Sequence, residues 1–387
     1  MKILYVGHTY TVRANQAKIA ALAQCPGAQI TLVTPQGWRG PLYANKADVF
    51  DSIAAPNVVH RIIPAAFIGK ESAYLYSSSI ISLIRRLQPD IVHVEQGAYA
   101  LSYAEILWAS GKFSPQSRAL FFTWWNLPYV LRGIKKMSES YNLAHSACAI
   151  AGNSAARDVL HAHGFARPIH VLPQLGIDLS AYTSIPRPPR ANNRFTIGYA
   201  GRIDKEKGVL NLVRAVNQMQ GKANAALYFV GAGDVLEDSK RLALEHSIPL
   251  LHHPAVRNET LPEHLAKMDV LVLPSRSTPQ WVEQFGHILL EAMAAGVPVI
   301  GSSSGEIPNV IGDAGMVFEE GNTVQLAVLL DRLSSNVNER IVFAEKGRTR
   351  VAEHFTHDKI AEAQWRIYEW MLREGMPVGT LKHTQAA

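Results

Sequence analysis

The stretch Trp281-Val-Glu-Gln-Phe-Gly-His-Ile-Leu-Leu-Glu-Ala-Met-Ala-Ala-Gly-Val-Pro298 follows a short apolar run at 269–273 and leads into another at 297–300. Within it, a helical pattern begins near Phe285 and ends at Gly296, with a proline just beyond. A strand, a helix and a second strand in succession are typical of a parallel α/β sheet. Because short apolar runs alternate with helical periods throughout the chain, the sequence predicts an α/β protein.

Individual strands and helices follow from this alternation. Strands are predicted near residues 2–6, 28–33, 57–62, 90–94, 119–123, 146–150, 168–171, 195–200, 226–230, 248–251, 269–273 and 297–300. One helix stands out by the helical spacing of five apolar residues before Pro89, namely Tyr76, Ile80, Leu83, Ile84 and Leu87. From Thr323 to about Arg373 the pattern is helical throughout.

The length of 387 residues is sufficient for two domains. The segment 184–193 contains three prolines and almost no apolar residues, which is typical of a linker. We therefore predict five parts, which are an N-terminal domain at 1–172, a linker at 173–194, a C-terminal domain at 195–355, a last helix at 356–375 and a frayed tail at 376–387.

Composition narrows the class of protein. Hydrophobic residues make up 48% and charged residues 18% of the chain, which argues against disorder. The two cysteines, Cys25 and Cys148, have no metal-type spacing, so neither a zinc site nor a disulfide framework is expected. We find no signal-peptide pattern and no apolar run of the ~18 residues that span a bilayer. The expected location is the cytoplasm, with peripheral contact at the inner face of the membrane left open.

The charge is unevenly shared between the two halves. Residues 1–172 hold 16 Lys and Arg against 8 Asp and Glu, whereas the remaining residues are close to neutral. A basic first half favours an anionic partner such as phospholipid or an acidic glycan. Five cations are prominent there, namely Arg85, Arg86, Arg132, Lys135 and Lys136. Nucleic acid is not expected as a partner, because the cations are scattered and no nucleic-acid-binding motif occurs.

The helix of the quoted stretch is apolar on every face, which predicts that it is buried all round. It nevertheless carries His287 and Glu291, four residues apart and therefore on one face. A buried carboxylate needs a partner. Either Glu291 pairs with His287 or a backbone group, or its face opens on a cleft and Glu291 accepts hydrogen bonds from ligand hydroxyls.

The start of the same helix is a candidate phosphate site. No Ser, Thr, Asp or Asn cap stands immediately before Phe285, so the first N–H groups of the helix are available to an anion. Gly286 would let a phosphate approach closely. Glu283 lies just outside this start, where it is either a residue that complements the helix dipole or a carboxylate that binds ligand.

Two glycine-containing loops follow predicted strands. The loop 201–208 carries Arg202 and Lys207 at the carboxyl end of a strand, where ligands bind in parallel sheets. The two cations either neutralise a diphosphate or are simply solvated. The loop 231–234 contains Gly233 but lacks the third glycine of a dinucleotide fingerprint.

In the first half, polar and aromatic residues follow three of the strands. The candidates on this side, which we assign to an acceptor, are His8, Tyr10, Glu95, Trp125 and Asn126. Adjacent tryptophans at 124 and 125 would stack on a sugar, or lie half in the core and half at the surface. His93 is interpreted as a core histidine. No Asp-x-Asp occurs anywhere, so no metal bridging a sugar diphosphate is expected.

Together these segments resemble the signature of the retaining GT-B glycosyltransferases, the glycosyl transferases group 1 family (family 4). The principal match is Glu-Gln-Phe-Gly-x-x-Leu-Leu-Glu-Ala-Met-Ala-x-Gly-x-Pro-Val-Ile, which begins at Glu283. Five other matching segments lie at Gly201–Gly208, Val230–Asp234, Asp269–Ser275, Gly305–Pro308 and Leu172–Asp178. The resemblance covers roughly residues 145–350 and is weaker in the first half, where Trp125 stands where the family often has a histidine.

The resemblance implies a GT-B fold, in which two Rossmann-like domains have parallel sheets that face a central cleft. It implies that Arg202 and Lys207 hold the donor diphosphate, that Glu291 binds the ribose, and that Glu283 contacts the transferred sugar. The backbone from Phe285 through Gly286 and His287 to Ile288 would face the phosphates. The last helix, at 358–373, would cross back to the first domain.

We therefore predict a retaining hexosyl-type glycosyltransferase of polysaccharide, lipopolysaccharide or glycolipid biosynthesis. It would use a nucleoside-diphosphate sugar, a glycan or lipid-linked acceptor, and neither cofactor nor metal. A sugar-nucleotide epimerase on the same fold and a non-catalytic nucleotide-sugar-binding protein are the alternatives. An NAD-dependent oxidoreductase is disfavoured, because the first strand lacks Gly-x-Gly-x-x-Gly.

Overall fold

The computed structural model describes residues 1–38, 55–183, 185 and 194–378. The chain forms two compact units, the first built from Met1–Gly176 with the segment from His357 onward, and the second from Ile177–Thr356. The three prolines of the predicted linker, at 186, 188 and 189, lie outside the described residues, as does the predicted tail from 379. Within the described ranges, no helix combines the length and apolar character needed to cross a lipid bilayer.

The first unit contains a seven-stranded parallel sheet. The unit also contains a short antiparallel ribbon formed by β4 (Ala65–Ala66) and β5 (Leu75–Tyr76). The strands of the parallel sheet are β1 (Lys2–Val6), β2 (Gln29–Pro35), β3 (Val58–Ile63), β6 (Ile91–Val94), β7 (Arg118–Thr123), β8 (Cys148–Ala151) and β9 (Ile169–Val171). The sheet order is β3-β2-β1-β6-β7-β8-β9. All seven predicted strands are confirmed. The ribbon was not predicted, because two-residue strands leave no periodic pattern.

In the part of the first unit that the structure describes, five helices connect these strands. They are α1 (Ala17–Ala23), α2 (Ser79–Leu87), α3 (Leu101–Phe113), α4 (Gly133–His145) and α5 (Ser154–Ala162). Two 3₁₀ turns, His8–Thr11 and Arg13–Gln16, follow β1. The predicted helix before Pro89 is α2, which buries Ile80 and Ile84 but does not include Tyr76. Tyr76 instead pairs with Ala65 in the ribbon.

The second unit contains a six-stranded parallel sheet. Its strands are β10 (Phe195–Ala200), β11 (Ala225–Val230), β12 (Leu250–His253), β13 (Val270–Leu273), β14 (Val299–Ser302) and β15 (Met316–Phe318), in the order β12-β11-β10-β13-β14-β15. The five predicted strands are confirmed, and β15 is an additional three-residue edge strand. Because β10 lies between β11 and β13, the chain changes direction across the sheet at β10. Ligands bind at such a switch point, outside the carboxyl ends of the strands.

Eight helices belong to the second unit over its described residues, 177–183, 185 and 194–356. They are α6 (Ser180–Thr183), α7 (Val209–Gln218), α8 (Leu236–Glu245), α9 (Leu261–Leu265), α10 (His287–Ala294), α11 (Ile307–Ile311), α12 (Thr323–Ser335) and α13 (Val337–His354). Two 3₁₀ turns, Lys205–Lys207 and Lys222–Asn224, complete the unit. The helix α10 is the one that the opening stretch of sequence predicts.

The last helix, α14 (His357–Glu374), belongs to the first unit and packs against α1. Tyr368 and Met371 are fully buried there, in an apolar layer that includes Ile3 and Tyr5 of β1. The alternate residues of β1, Leu4 and Val6, belong to the layer on the other face, because side chains alternate along a strand. The first unit is thus closed on one face by a segment from the far end of the chain.

His93 is confirmed as a core histidine. Its Nδ1 lies 2.6 Å from the Tyr368 hydroxyl of α14, and the residue is fully buried. Burial lowers the pKa of His93 well below its ordinary value. The imidazole is therefore neutral at pH 7.

The prediction of a frayed tail is wrong for residues 376–378. Val378 is buried against the first unit, and its N–H donates to the carbonyl of Ser117 at 2.8 Å. Just before it, the Gly375 carbonyl accepts a hydrogen bond from Arg118 Nε at 2.9 Å. The free energy of burying the valine, together with two backbone partners, orders this segment.

Candidate active site

Four loops of the second unit meet at the carboxyl end of its sheet. They follow β10, β11, β13 and β14. Three glycines in the left-handed region make the contacts possible, because an added Cβ would lie only 1.9 Å from a neighbouring carbonyl oxygen. The carbonyl belongs to Gly201 for Gly231, to Pro274 for Gly208 and to Glu283 for Gly305. The loops therefore touch backbone to backbone, which fixes the side chains that they carry.

Glu283 and Lys207 form a partly buried ion pair at this edge of the sheet. Lys207 Nζ lies 2.7 Å from Glu283 Oε2, and the Ser275 hydroxyl donates to the same oxygen at 2.7 Å. The side chain of Lys207 is 16% exposed. Glu283 therefore bonds to the β10 and β13 loops and is more than a residue that complements the helix dipole.

Trp281 covers the ammonium group of Lys207. The distance from Lys207 Nζ to the centroid of the indole ring is 4.7 Å. Trp281 pairs with Thr278 in a short antiparallel bridge, in which the Thr278 N–H donates to the Trp281 carbonyl at 2.7 Å. Neither Trp281 nor Ser275 was predicted as a site residue, although Trp281 opens the stretch that predicts α10.

Arg202 lies on the same loop as Lys207 but is exposed. Its guanidinium pairs with Asp204, and its carbonyl accepts a hydrogen bond from the Tyr199 hydroxyl. Tyr199 is fully buried, and burial, followed by the nearby charge of Glu283, raises its pKa well above the ordinary value. Tyr199, another residue missed from sequence, thus supports the backbone that presents Arg202.

The start of α10 faces the same edge of the sheet. Gly286 is the N-cap residue of the helix, with φ of 83°, and as a glycine it supplies no side-chain cap. An added Cβ on Gly286 would lie 2.8 Å from Leu273 of β13. Phe285 is buried beside Phe355, so only its backbone can face a ligand. The helix thus begins two residues later than the pattern suggested and has a glycine at its N-cap, and its predicted binding of phosphate stays a prediction.

The prediction that α10 is buried all round is wrong. Leu289, Leu290 and Met293 are buried, whereas His287 is exposed, and Ile288 and Glu291 are partly exposed. The Tyr182 hydroxyl of α6 donates to Glu291 Oε1 at 3.3 Å. Burial and the charge of Glu291 both raise the pKa of Tyr182. One face of α10 is therefore open to solvent and carries a carboxylate.

Gly233 packs the loop after β11 against the loop after β10. An added Cβ would lie 2.4 Å from the Ile203 carbonyl, and the Ile203 N–H donates to Ala232 at 2.8 Å. The absence of a side chain at Gly233 thus shapes the edge on which Arg202 lies. Its predicted contact with donor stays a prediction.

Two of the predicted acceptor-side residues, Tyr10 and Glu95, belong to the core of the first unit. Glu95 accepts hydrogen bonds from the Tyr10 hydroxyl at 2.9 Å, Lys18 Nζ at 2.9 Å and Gln174 Nε2 at 2.6 Å. Tyr10 and the Glu95 side chain are fully buried. We correct their assignment to structural residues, because a carboxylate with these buried partners is not presented to a ligand.

His8 is buried beside the same strands. Its ring stacks on Trp38 with centroids 4.0 Å apart, and Nδ1 lies 3.0 Å from Gln96 Nε2. Burial lowers the pKa of His8 to about 4. A neutral imidazole at pH 7 is compatible with hydrogen bonding to a hydroxyl, and its acceptor role stays a prediction.

Among the residues predicted for the acceptor side, Trp125 is exposed, with 43% of its surface accessible to solvent. Asn126 is buried, and Trp124 lies over Gly152 and donates from Nε1 to Gln174 at 2.8 Å. The two tryptophans thus divide between core and surface, which was one of the two interpretations of the sequence. Trp125 remains a surface on which a sugar can stack.

The predicted residues therefore fall into two groups. Those assigned to the donor all lie in the second unit, and those assigned to the acceptor all lie in the first. Among the residues with described positions, no group of three or more His, Cys, Asp or Glu is arranged to hold a metal ion.

Comparison with known proteins gives a match to one family over part of the chain. Residues 183–350 match the family model described as glycosyl transferases group 1. N-acetyl-alpha-D-glucosaminyl L-malate synthase of Bacillus anthracis is 34% identical over 176 residues, which are 44% of this chain and 44% of that protein. The chain spans about half the length of the curated relatives that it matches.

Solved structures show the fold. A glycosyltransferase from Rickettsia africae has a TM-score of 0.68 at 17% identity, covering 97% of this chain and 99% of that one. HepE of Anabaena, solved with UDP, has a TM-score of 0.66 at 16% identity, covering 95% and 100%. The predicted GT-B class, with parallel sheets in two Rossmann-like units, is thereby confirmed.

Proposed function

We propose that this chain, whose residues 183–350 belong to the glycosyl transferases group 1 family, transfers a hexosyl group from a nucleoside diphosphate to an acceptor hydroxyl with retention of configuration. The observation that carries the proposal is the Lys207–Glu283–Ser275 cluster, in the loops beside the glycine-capped start of α10. This part of the second unit brings together a cation, a carboxylate and the start of a helix at the switch point of the sheet.

The diphosphate would lie between the start of α10 and the loop after β10. Helix N-termini bind phosphate through their backbone N–H groups and dipole, and lysine and arginine form charge-assisted hydrogen bonds to phosphate oxygens. Catalysis then rests on stabilising the negative charge that develops on the departing diphosphate. HepE, whose structure was solved with UDP, supports a nucleoside-diphosphate donor.

Glu291 would bind the ribose hydroxyls from the open face of α10. Its Oε1 is held by the Tyr182 hydroxyl at 3.3 Å, which orients the carboxylate. A carboxylate accepts hydrogen bonds from two neighbouring hydroxyl groups.

Glu283 would orient the transferred sugar. Its Oε2 is held by Lys207 and Ser275, so the carboxylate is fixed next to the cation that binds the diphosphate. An inverting enzyme needs a base across the sugar ring from the leaving group. Because Glu283 lies on the leaving-group side in this arrangement, we propose attack from that side, with the departing phosphate accepting the acceptor proton.

Proton NMR of the first-formed product tests this mechanism. The anomeric configuration of the donor should be preserved, and Glu283→Gln should lower kcat more than it weakens donor binding. The control variant is Glu259→Gln, since Glu259 is an exposed carboxylate of the same unit. It should leave kcat and donor binding unchanged. An inverted product would refute the mechanism, free epimerised nucleotide sugar would indicate an epimerase, and donor binding without turnover would indicate a binding protein.

We also propose that transfer needs no metal or other cofactor. Arg202, Lys207 and the start of α10 supply positive charge to the diphosphate, and the sequence contains no Asp-x-Asp. Activity should survive EDTA. Loss of activity on chelation, with recovery on adding Mg²⁺ or Mn²⁺, would contradict the proposal.

On the acceptor side, we propose a glycan or lipid-linked acceptor and peripheral contact with the cytoplasmic face of an anionic membrane. The supporting surface is the 130–137 patch, which we define by six residues, Val130, Arg132, Ile134, Lys135, Lys136 and Met137. Val130 is 87%, Ile134 64% and Met137 72% exposed. Exposed apolar side chains interleaved with cations are typical of segments that lie in the headgroup region of anionic bilayers.

A further inference from the structure

The ammonium group of Lys207 is contacted from two sides. Glu283 Oε2 lies 2.7 Å from Nζ, and the centroid of the Trp281 ring lies 4.7 Å from it. A cation within about 6 Å of an indole centroid is attracted by the ring quadrupole. The indole therefore contributes to the position of Lys207 independently of the carboxylate.

The backbone that carries the indole is held in place on both sides of Trp281. Trp281 and Thr278 exchange two backbone hydrogen bonds, at 2.7 and 3.2 Å. Two residues on, the Glu283 carbonyl lies so close to Gly305 that an added Cβ would approach it to 1.9 Å. The backbone of the segment 278–283, which carries the ring, is thus fixed at both ends.

Lysine needs such a surface more than arginine does. Its ammonium is a point charge on a flexible four-carbon stem, so ordering it in one place costs side-chain entropy. Glu283 contacts the ammonium through Oε2, which also accepts a hydrogen bond from Ser275. The ring is a second contact for the ammonium, which does not involve the carboxylate.

We propose that Trp281 is a positioning residue for the donor diphosphate. Its indole face holds the Lys207 ammonium where the phosphate oxygens bind, so Trp281 acts on the donor through Lys207. The inference rests on the proposed function, because it assumes that Lys207 contacts the diphosphate.

Calorimetric binding of UDP and GDP to the full chain tests the inference. For whichever nucleotide binds, Trp281→Leu should weaken affinity by about 2- to 30-fold, which corresponds to the range of cation–π energies. Trp281→Phe, which keeps a π face, should restore most of the affinity. Binding of the corresponding nucleoside without phosphate should not change.

A double-mutant cycle separates positioning from direct contact. In a Lys207→Ala background, Trp281→Leu should have no further effect on diphosphate affinity. Trp108→Leu is the matched control, because Lys112 Nζ lies 5.3 Å from the Trp108 ring in the first unit, and its removal should leave affinity unchanged.

The outcomes distinguish the two proposals. Equal losses from Trp281→Leu with and without Lys207, or an unchanged affinity in the single variant, would overturn the positioning role alone. Failure of the wild-type protein to bind either diphosphate, or any nucleotide sugar, would overturn both the proposed function and this inference.

Discussion

At the scale of single residues, Lys207 and Arg202 occupy the same loop but differ in their surroundings. Lys207 is enclosed by Glu283 and Trp281, whereas the Arg202 guanidinium is exposed and pairs with Asp204. Exposed ion pairs are weak and are screened by salt. Arg202 can therefore leave Asp204 for a phosphate at little cost, while Lys207 is already in place.

Replacing either cation should weaken donor use. Lys207→Ala and Arg202→Ala should each lower kcat/KM for the donor at least about tenfold, because a hydrogen bond to a charged group is worth about 1.5–3 kcal/mol. Lys207→Ala should also lower thermal stability, since it leaves the Glu283 carboxylate without its cation. Steady-state kinetics and thermal unfolding measure both effects.

Lys205→Ala is the matched control, because Lys205 is exposed on the same 3₁₀ turn. It should behave as wild type. Wild-type kinetics in both Lys207→Ala and Arg202→Ala would remove these residues from the diphosphate site.

At the scale of elements, the site depends on how closely the strand-end loops approach one another. Gly208 has φ of 68°, and an added Cβ would lie 1.9 Å from the Pro274 carbonyl. This contact joins the loop that carries Lys207 to the loop that carries Ser275. The two loops position the Glu283 carboxylate together.

Gly208→Ala should therefore both destabilise the second unit and weaken donor binding. The left-handed backbone alone costs an alanine about 1–2 kcal/mol, and displacing the Pro274 carbonyl adds to that cost. Gly321→Ala is the control, with φ of 82° and the Arg276 Nε, 4.0 Å from the added Cβ, as the nearest neighbour. Denaturant unfolding and donor titration should show the larger losses in Gly208→Ala. Equal losses would show that the loop contact is unimportant.

The 130–137 patch is the second element with a testable role. The double variant Ile134→Ser/Met137→Ser and the double variant Lys135→Glu/Lys136→Glu should each weaken sedimentation with anionic phospholipid vesicles. Each cation near such a surface contributes about 1 kcal/mol. Binding of the wild type should fall with salt.

Val324→Ser/Val328→Ser removes two exposed valines from α12 and should leave vesicle binding unchanged. Equal binding of the wild type to neutral vesicles, or binding to neither kind, would show that the patch is an ordinary solvated surface.

At the scale of the whole molecule, the chain forms two units that differ in their connection to the proposed donor. Lys207, Glu283, Glu291 and the start of α10 all lie in Ile177–Thr356. A ligand bound at 100 times its Kd stabilises the folded state by about 2.7 kcal/mol. Donor should therefore stabilise the second unit directly.

Hydrogen exchange with saturating nucleoside diphosphate measures this effect. Amide exchange should slow at 201–208 and at 274–291, around the loops and α10. Exchange with uridine or guanosine alone provides the comparison, since neither carries a diphosphate. Protection confined to residues 1–176 would place the nucleotide in the first unit and contradict the donor site.

Much of the fold and part of the site are encoded locally in the sequence. Short apolar runs and helical periods predicted all seven strands of the first sheet, five strands of the second sheet, α10 and the cations that follow β10. Strands end where their apolar runs end, so the residues at the carboxyl ends of strands can be named from sequence alone. Arg202 and Lys207 were named in this way and Gly286 from the start of the helical pattern, and their contact with donor stays a prediction.

Burial and pairing depend on residues far away in the chain, and only the tertiary structure decided them. Lys207 and Glu283 are 76 residues apart, and Glu95 bonds to Gln174 across 79 residues. A polar residue after a strand has the same local pattern whether it faces a ligand or the core. Tyr10 and Glu95 were therefore assigned to an acceptor from sequence, whereas the packing of α1, β6 and Gln174 around them places both in the interior.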